Sequence, residues 1–370
     1  MNKIFKIVLV LFFLFDYYFE VFGRMLDYVG LLMLLIYMMH TYSIRAPIMS
    51  FYRVKPFFQL NVFFWIVFGL VGIFRGGIIT VGAYLIGAFL IFPLYYYWGL
   101  KSSDAVKRIT KFLIALNLFF FFVQYFIYKI TGVVINFHAI PGLIQPRTYN
   151  EGLIFFRAAG LYQEPSQYAL AMIMIVTLWA FISRKPFGTL CLICLFSILL
   201  SESLWGIGAI VVYVMLFSRS MLFKLVFVGG VVSLIAIIML TPSISGGLIS
   251  AVSIERIANF QDDPSTSLRL GVNANSESSF SILKIIGSGL STSSFQATGA
   301  NGLNFYIISF GYIGFFIWIL SFFTSLKRKP LIVFVTVSFI MTSYPIFTYL
   351  IWWAWLALVF SNLNNDELWK

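Results

Sequence analysis

Four arginines in this 370-residue chain stand among apolar neighbours, where a charged side chain needs a chemical reason. They are Arg147, Arg157, Arg256 and Arg269. A guanidinium stays charged at physiological pH, and its planar fork matches the oxygens of a phosphate or a carboxylate. Either each arginine pairs with a nearby carboxylate or lipid headgroup, or several of them converge on one phosphate-rich ligand. Their distribution over two separate segments favours the second interpretation.

The most informative stretch is Arg157-Ala158-Ala159-Gly160-Leu161-Tyr162-Gln163-Glu164-Pro165. Proline disfavours helix at the residue before it and suits the first turn of a helix, so a helix is predicted to begin at this point. The positive N-terminal end of that helix would attract an anion beside Arg157. Glu164 is then either a general base or a helix cap that pairs with Arg157.

The composition excludes water as the main solvent of this chain. Hydrophobic residues make up 61% and charged residues 10%, whereas soluble domains have about 45–50% and about 25%. The mean hydropathy is +0.96, which also excludes disorder. The net charge of +12 is explained by anionic lipid at the inner leaflet, without a nucleic-acid partner. We therefore predict an all-α integral membrane protein that forms a single polytopic domain over residues 1–370.

Apolar runs of membrane-spanning length number about twelve. They cover 4–22, 26–42, 56–74, 77–98, 112–130, 166–183, 187–201, 203–218, 224–241, 303–324, 331–345 and 347–361. The first run is interpreted as a retained helix, because it contains Asp16 and Glu20 and lacks a small-residue cleavage site. Most basic residues fall in alternate connecting segments, which places both termini in the cytoplasm. Two large loops, about 131–165 and 242–302, are then predicted on the periplasmic side, and loops of this length are usually functional.

Cysteines and paired acids do not point to a metal or redox centre. Cys191 and Cys194 lie inside an apolar run and are interpreted as small helix residues. The pair Asp262-Asp263 is better explained by a loop salt bridge than by a metal site. The sequence therefore predicts no metal and no cofactor.

Three stretches of the chain resemble the O-antigen polymerase and ligase superfamily (Wzy-like and WaaL-like proteins) of bacterial envelope polysaccharide synthesis. The first is the pattern from Arg157 to Pro165. The second is the turn Leu-Ser-Glu-Ser-Leu-Trp-Gly at 200–206. The third is a series similar to the family's Gly-x-Gly, Asn-x-Tyr and Gly-x-x-Gly motifs, formed by Gly287, Gly289, Asn304, Tyr306, Gly311 and Gly314. Leu303 stands where ligases usually carry a histidine, which shifts the resemblance toward a polymerase.

The resemblance implies a GT-C-type architecture and a metal-independent, inverting glycosyltransferase. The enzyme would transfer the growing glycan from undecaprenyl diphosphate to a lipid-linked repeat unit on the periplasmic side of a bacterial inner membrane. Its expected partners are undecaprenyl diphosphate-linked repeats, membrane lipid and a chain-length regulator protein.

The resemblance also suggests roles for individual residues. Arg157 and Arg269 would clamp the leaving diphosphate, and Arg269 falls where the family often has an arginine. Glu164 is the first candidate for the base that deprotonates the acceptor hydroxyl. The next candidates for this base are Glu151, Glu277 and His138. The residues expected to bind substrate are Arg147, Gly287, Gly289 and Asn304.

Two other functions remain open at this stage. One is an O-antigen ligase that transfers glycan to lipid A-core. The other belongs to a different class, a flippase or transporter of lipid-linked oligosaccharides. Such proteins carry charges near the bilayer midplane or broken helices in two repeated halves. The chain has few midspan charges, namely Asp16, Glu20 and Asp27, and shows no convincing repeat.

Overall fold

The computed structural model describes 2–15, 29–36, 56–74, 78–135, 137, 157–162, 164–240, 285–287, 289, 302–342 and 349–365, with only the backbone at some helical positions. The described residues are almost all helical and include no strand. They divide into two compact units. Unit 1 comprises Met1–Asp16, Gly23–Val106 and Ser267–Lys370, and unit 2 comprises Tyr17–Phe22 and Lys107–Thr266.

The helices follow the predicted apolar runs closely. They are α1 (Asn2–Phe15), α2 (Pro56–Phe74), α3 (Ile78–Ile86), α4 (Phe92–Lys101), α5 (Ser103–Thr131), α6 (Pro165–Ser183), α7 (Thr189–Leu200), α8 (Leu204–Phe217), α9 (Met221–Leu240), α10 (Gly302–Ser325), α11 (Pro330–Met341) and α12 (Leu350–Asn364). A π-helical turn, Gly87–Ile91, joins α3 to α4, and residues 29–36 are also helical.

Four segments of the described chain are long and apolar enough to cross a membrane: Val81–Lys101, Ser103–Thr131, Pro165–Ser183 and Phe305–Ser325. Shorter apolar helices lie at 189–200, 204–217, 221–230, 330–341 and 350–364. The fold is therefore that of a helical membrane protein, as predicted. The total of about twelve spans and the two periplasmic loops stay predictions, because much of 1–55, 136–156 and 241–301 lies outside the described residues.

Unit 1 is built around α12, whose side chains from Leu350 to Leu363 are all buried. Helix α4 packs along it, and Gly99 allows the close approach of Ser361. Gly87 of the π-helical turn makes room in the same way for the ring of Trp353. These glycines are needed because any side chain there would overlap its neighbour.

Unit 2 is built around α6, in which nearly every side chain from Pro165 to Phe181 is buried. Gly206 of α8 packs against Ala169 of α6, so the two helices approach closely. On another side the ring of Tyr168 stacks on Phe121 of α5, with centroids 4.5 Å apart. The Tyr168 hydroxyl donates to Ser197 Oγ of α7 over 2.7 Å. Cys191 and Cys194 are free and buried in α7, as expected for apolar helix residues.

Two connections differ from the sequence-based prediction. Helix α4 ends at Lys101 and α5 begins at Ser103, so Lys107, Arg108 and Lys111 lie on a helix and not in a loop. The carbonyl of Ser102 makes this possible, since it accepts from the N–H groups of Ala105 and Val106 at 2.9 and 3.0 Å and starts α5 at once. The second difference is in α10, which was predicted as an uninterrupted span and is broken at Gly311.

Candidate functional site

The predicted start of α6 is confirmed and has a simple physical basis. Glu164 is extended, with φ −135° and ψ 147°, and Pro165 occupies the first helical position. The backbone carbonyl of Glu164 accepts from the N–H groups of Gln167 and Tyr168, both at 3.1 Å. The carboxylate of Glu164 accepts from Ser166 Oγ over 3.0 Å. Glu164 thus occupies the N-cap position through its backbone carbonyl alone, and its role as a general base stays a prediction.

Gln124 of α5 holds the backbone that precedes α6. Its side-chain oxygen accepts from the N–H groups of Ala159 and Gly160, both at 2.8 Å. Its side-chain nitrogen donates to the carbonyl of Ile135 over 2.9 Å. Gln124 is almost fully buried, and so are Ala159 and Gly160, so the two bonds from these residues satisfy backbone N–H groups that lack access to bulk water. The loop residues two and three positions after Arg157 are therefore fixed to α5.

Gly160 is required at its position in this loop. Its φ is +58°, a conformation that side chains disfavour. A Cβ there would also lie 3.3 Å from the backbone nitrogen of Phe121. The glycine of the Arg157–Pro165 pattern thus allows the loop to contact the backbone of α5.

Arg157 contacts the hairpin between α7 and α8. Its Nη1 donates to the backbone carbonyl of Glu202, with an N···O distance of 3.4 Å. The hairpin is short, because Ser203 directly caps α8 by accepting from Gly206 N over 3.2 Å. Two of the three stretches that carried the family resemblance are therefore adjacent in unit 2.

A buried hydrogen-bond acceptor lies in the first turn of α6. Gln167 is 2% exposed, and its side-chain oxygen makes no hydrogen bond to any part of the chain that the structure describes. Leaving such an acceptor unpaired in a dry interior costs about 1–3 kcal/mol. A hydroxyl or N–H donor from water or a ligand would offset that cost.

The glycines of the third stretch lie in unit 1, where they allow two backbone segments to pack closely together. Gly287, Gly289 and Gly311 all have positive φ, between 70° and 86°. The N–H of Gly289 donates to the carbonyl of Ser309 over 2.9 Å, and the break at Gly311 leaves that carbonyl outside the regular helical pattern. A Cβ on Gly311 would overlap the carbonyl oxygen of Ile285. These glycines have a packing role, and their binding of substrate stays a prediction.

Several predicted site residues lie outside the described residues. They are Arg147, Arg269, Glu151, Glu277, His138 and the Asp262-Asp263 pair, together with the side chain of Asn304, whose backbone lies in α10. Within the described ranges, no three His, Cys, Asp or Glu side chains form a group that could bind a metal ion. The prediction of a metal-free mechanism remains untested.

Two residues of the site were missed by sequence reasoning alone. Gln124 was detectable as an amide inside an apolar, aromatic-rich run, since polar side chains within membrane spans are usually functional. Glu202 was detectable as an acid in a hairpin too short for a solvated loop. In comparisons with known proteins, no family model, curated protein or solved structure matches this chain.

Proposed function

We propose that this protein is a surface-polysaccharide polymerase of the O-antigen type. It transfers the growing glycan from undecaprenyl diphosphate to a lipid-linked repeat unit on the periplasmic side of a bacterial inner membrane. The observation that supports this proposal best is the contact of Arg157 with the α7–α8 hairpin, close to the start of α6. A guanidinium, a helix N-terminus and a fixed loop then lie at one end of unit 2.

The chemistry of the proposed reaction suits this arrangement. As the bond between the anomeric carbon and the diphosphate breaks, negative charge develops on the leaving diphosphate. Fixed positive groups that are already in place stabilise this charge, each by about 2.7–4 kcal/mol. Arg157 and Arg269 would supply the guanidinium groups, with Arg147 in support. No metal is required for this role.

Recognition of the glycan would use polar groups near the same helix start. The unpartnered acceptor of Gln167 suits a sugar hydroxyl, because each hydroxyl can donate one hydrogen bond. Glu164 is the sequence-based candidate for accepting the proton of the acceptor hydroxyl. Gly287, Gly289 and Asn304 remain proposed substrate contacts from the second loop.

One observation favours the alternative of a flippase or transporter for lipid-linked oligosaccharides. Helix α10 is broken at Gly311, inside the candidate span Phe305–Ser325. Broken membrane helices are common at the binding sites of transporters, where half-helix ends face the substrate. In this chain, however, the break is filled by the backbone of Ile285 and Gly287.

The test uses the full chain in proteoliposomes with lipid-linked repeats extracted from source cells that lack the gene. A polymerase lengthens the glycan, whereas a flippase moves labelled lipid across the bilayer without lengthening it. We expect Arg157→Ala to reduce chain extension by about 10²-fold or more. The matched control is Arg219→Ala, since Arg219 is exposed between α8 and α9.

Two results would count against the proposal. Translocation without extension by the wild-type protein would assign it to the transporter class. Full extension by Arg157→Ala at normal expression would remove Arg157 from the diphosphate clamp.

A further inference from the structure

Glu202 lies at a position in the α7–α8 hairpin where glycine is the usual residue. Helix α7 ends at Leu200, Ser201 follows as its C-cap, and Glu202 has a φ of +52°. The N–H of Glu202 donates to the carbonyl of Leu199 over 3.1 Å. Glycine predominates at such left-handed positions after a helix, because a side chain there costs about 1 kcal/mol. A glutamate at this point is therefore not explained by the turn itself.

The backbone of Glu202 is directed at the candidate site. Its carbonyl accepts from Arg157 Nη1, with the 3.4 Å distance given above. The left-handed turn thus places the acid residue beside the guanidinium that the proposed function requires. The residue Glu202 is half-buried.

The side chain of Glu202 also belongs to this cluster. Its carboxylate interacts electrostatically with the phenol of Tyr125 on α5. Tyr125 follows Gln124, which holds the amides of Ala159 and Gly160. The carboxylate therefore lies at the same end of α5 as the loop that carries Arg157.

Glu164 is less suited to proton transfer in this geometry. Its carboxylate accepts from Ser166 Oγ, so a hydrogen bond at the helix start already engages this carboxylate. We infer that Glu202, and not Glu164, is the general base of the glycan transfer. This inference rests on the proposed polymerase function.

The proposed step is a single displacement. The carboxylate of Glu202 takes the proton of the acceptor sugar hydroxyl as that oxygen forms a bond to the anomeric carbon of the donor. The bond from the anomeric carbon to the diphosphate oxygen breaks, and the diphosphate leaves with the electron pair. The protonated Glu202 then returns its proton to water.

The experiment compares Glu202→Gln, Glu202→Gly and the control Arg219→Ala in proteoliposomes with the extracted lipid-linked repeats. A general base typically contributes about 10²–10⁴-fold, so both Glu202 variants should lose at least about 10²-fold in kcat with little change in KM. Arg219→Ala should remain close to the wild-type rate, because Arg219 is exposed between α8 and α9 and has no role in the site. Glu202→Gly should fold at least as well as the wild type, since glycine adopts this turn without strain.

Chemical rescue separates catalysis from positioning. Glycine keeps the carbonyl that accepts from Arg157 but removes the carboxylate, so sodium formate should restore part of the lost rate in Glu202→Gly and none in Arg157→Ala. Wild-type extension in either Glu202 variant would overturn the inference. Loss of activity without formate rescue would make Glu202 a positioning residue and would also overturn it. If the wild-type protein extends no glycan, the polymerase proposal itself fails.

Discussion

Gln124 offers the sharpest test of how the candidate site is held together. Its side chain accepts two backbone N–H groups, from Ala159 and Gly160, and donates to the carbonyl of Ile135. Replacing it by methionine keeps the length of the side chain and removes these hydrogen bonds. Ile135 is half-exposed, so water can replace the bond to its carbonyl. The amides of Ala159 and Gly160 are buried and would be left unpaired.

The magnitude follows from these two amides. Each of the two unpaired N–H groups costs about 2 kcal/mol, the middle of the usual range, and burial of the apolar methionine offsets about 1–2 kcal/mol of that cost. Gln124→Met should therefore lose about 2–3 kcal/mol of stability. A loss of this size lowers the melting temperature by on the order of 5 °C or more. The rate of chain extension should fall by about 10²-fold, because a displacement of about 1 Å at a reacting group lowers the rate by about that factor.

Asn117 supplies a matched control on the same buried face of α5, seven residues earlier. Its side-chain nitrogen donates only to Leu113 O of its own helix, over 2.8 Å, and its oxygen has no partner in the described part of the chain. Asn117→Leu therefore removes an unpaired acceptor, and we expect a change of less than about 1 kcal/mol or a gain. Both variants are measured by thermal unfolding in the same detergent at one scan rate. Equal melting temperatures for Gln124→Met and Asn117→Leu would refute the role assigned to Gln124.

Two further predictions concern glycine and tyrosine positions. Gly311→Ala should destabilise unit 1 by about 3 kcal/mol or more, because φ is 70° and the new Cβ meets the Ile285 carbonyl. Gly82 of α3 has open space around it, so Gly82→Ala should instead raise the free energy of unfolding by about 0.5–1 kcal/mol. Similar melting temperatures for the two variants would contradict the packing role of Gly311. Tyr168→Phe should cost about 1 kcal/mol by losing the bond to Ser197 while keeping the stack on Phe121, and an unchanged melting temperature would show that this buried hydroxyl contributes nothing.

Local signals in the sequence located most helix boundaries. Pro165 and the extended Glu164 start α6 where they were expected to, because proline restricts its own backbone and that of the residue before it. The Ser201–Ser203 hairpin between α7 and α8 was also predicted and is confirmed. These features depend on a few neighbouring residues, so a single sequence is enough to find them.

Contacts between distant residues were not predictable in the same way. The bond from Arg157 to Glu202 joins residues that are 45 positions apart, and Gln124 reaches Gly160 across 36 positions. Composition marks such polar residues as unusual in a membrane protein, but it does not select their partners. The break at Gly311 was missed for a related reason, since it accompanies contacts with Ile285, Gly287 and Gly289, which are distant in the sequence.

The central helix of unit 1 has a consequence for biogenesis. Helix α12 is enclosed by protein, and its neighbours α1 and α4 are synthesised long before it. These early helices remain in the bilayer without α12 while the ribosome translates Lys107–Thr266, the larger segment of unit 2, which can assemble first. A frameshift after residue 266 would therefore leave unit 2 assembled and α1 and α4 without their partner.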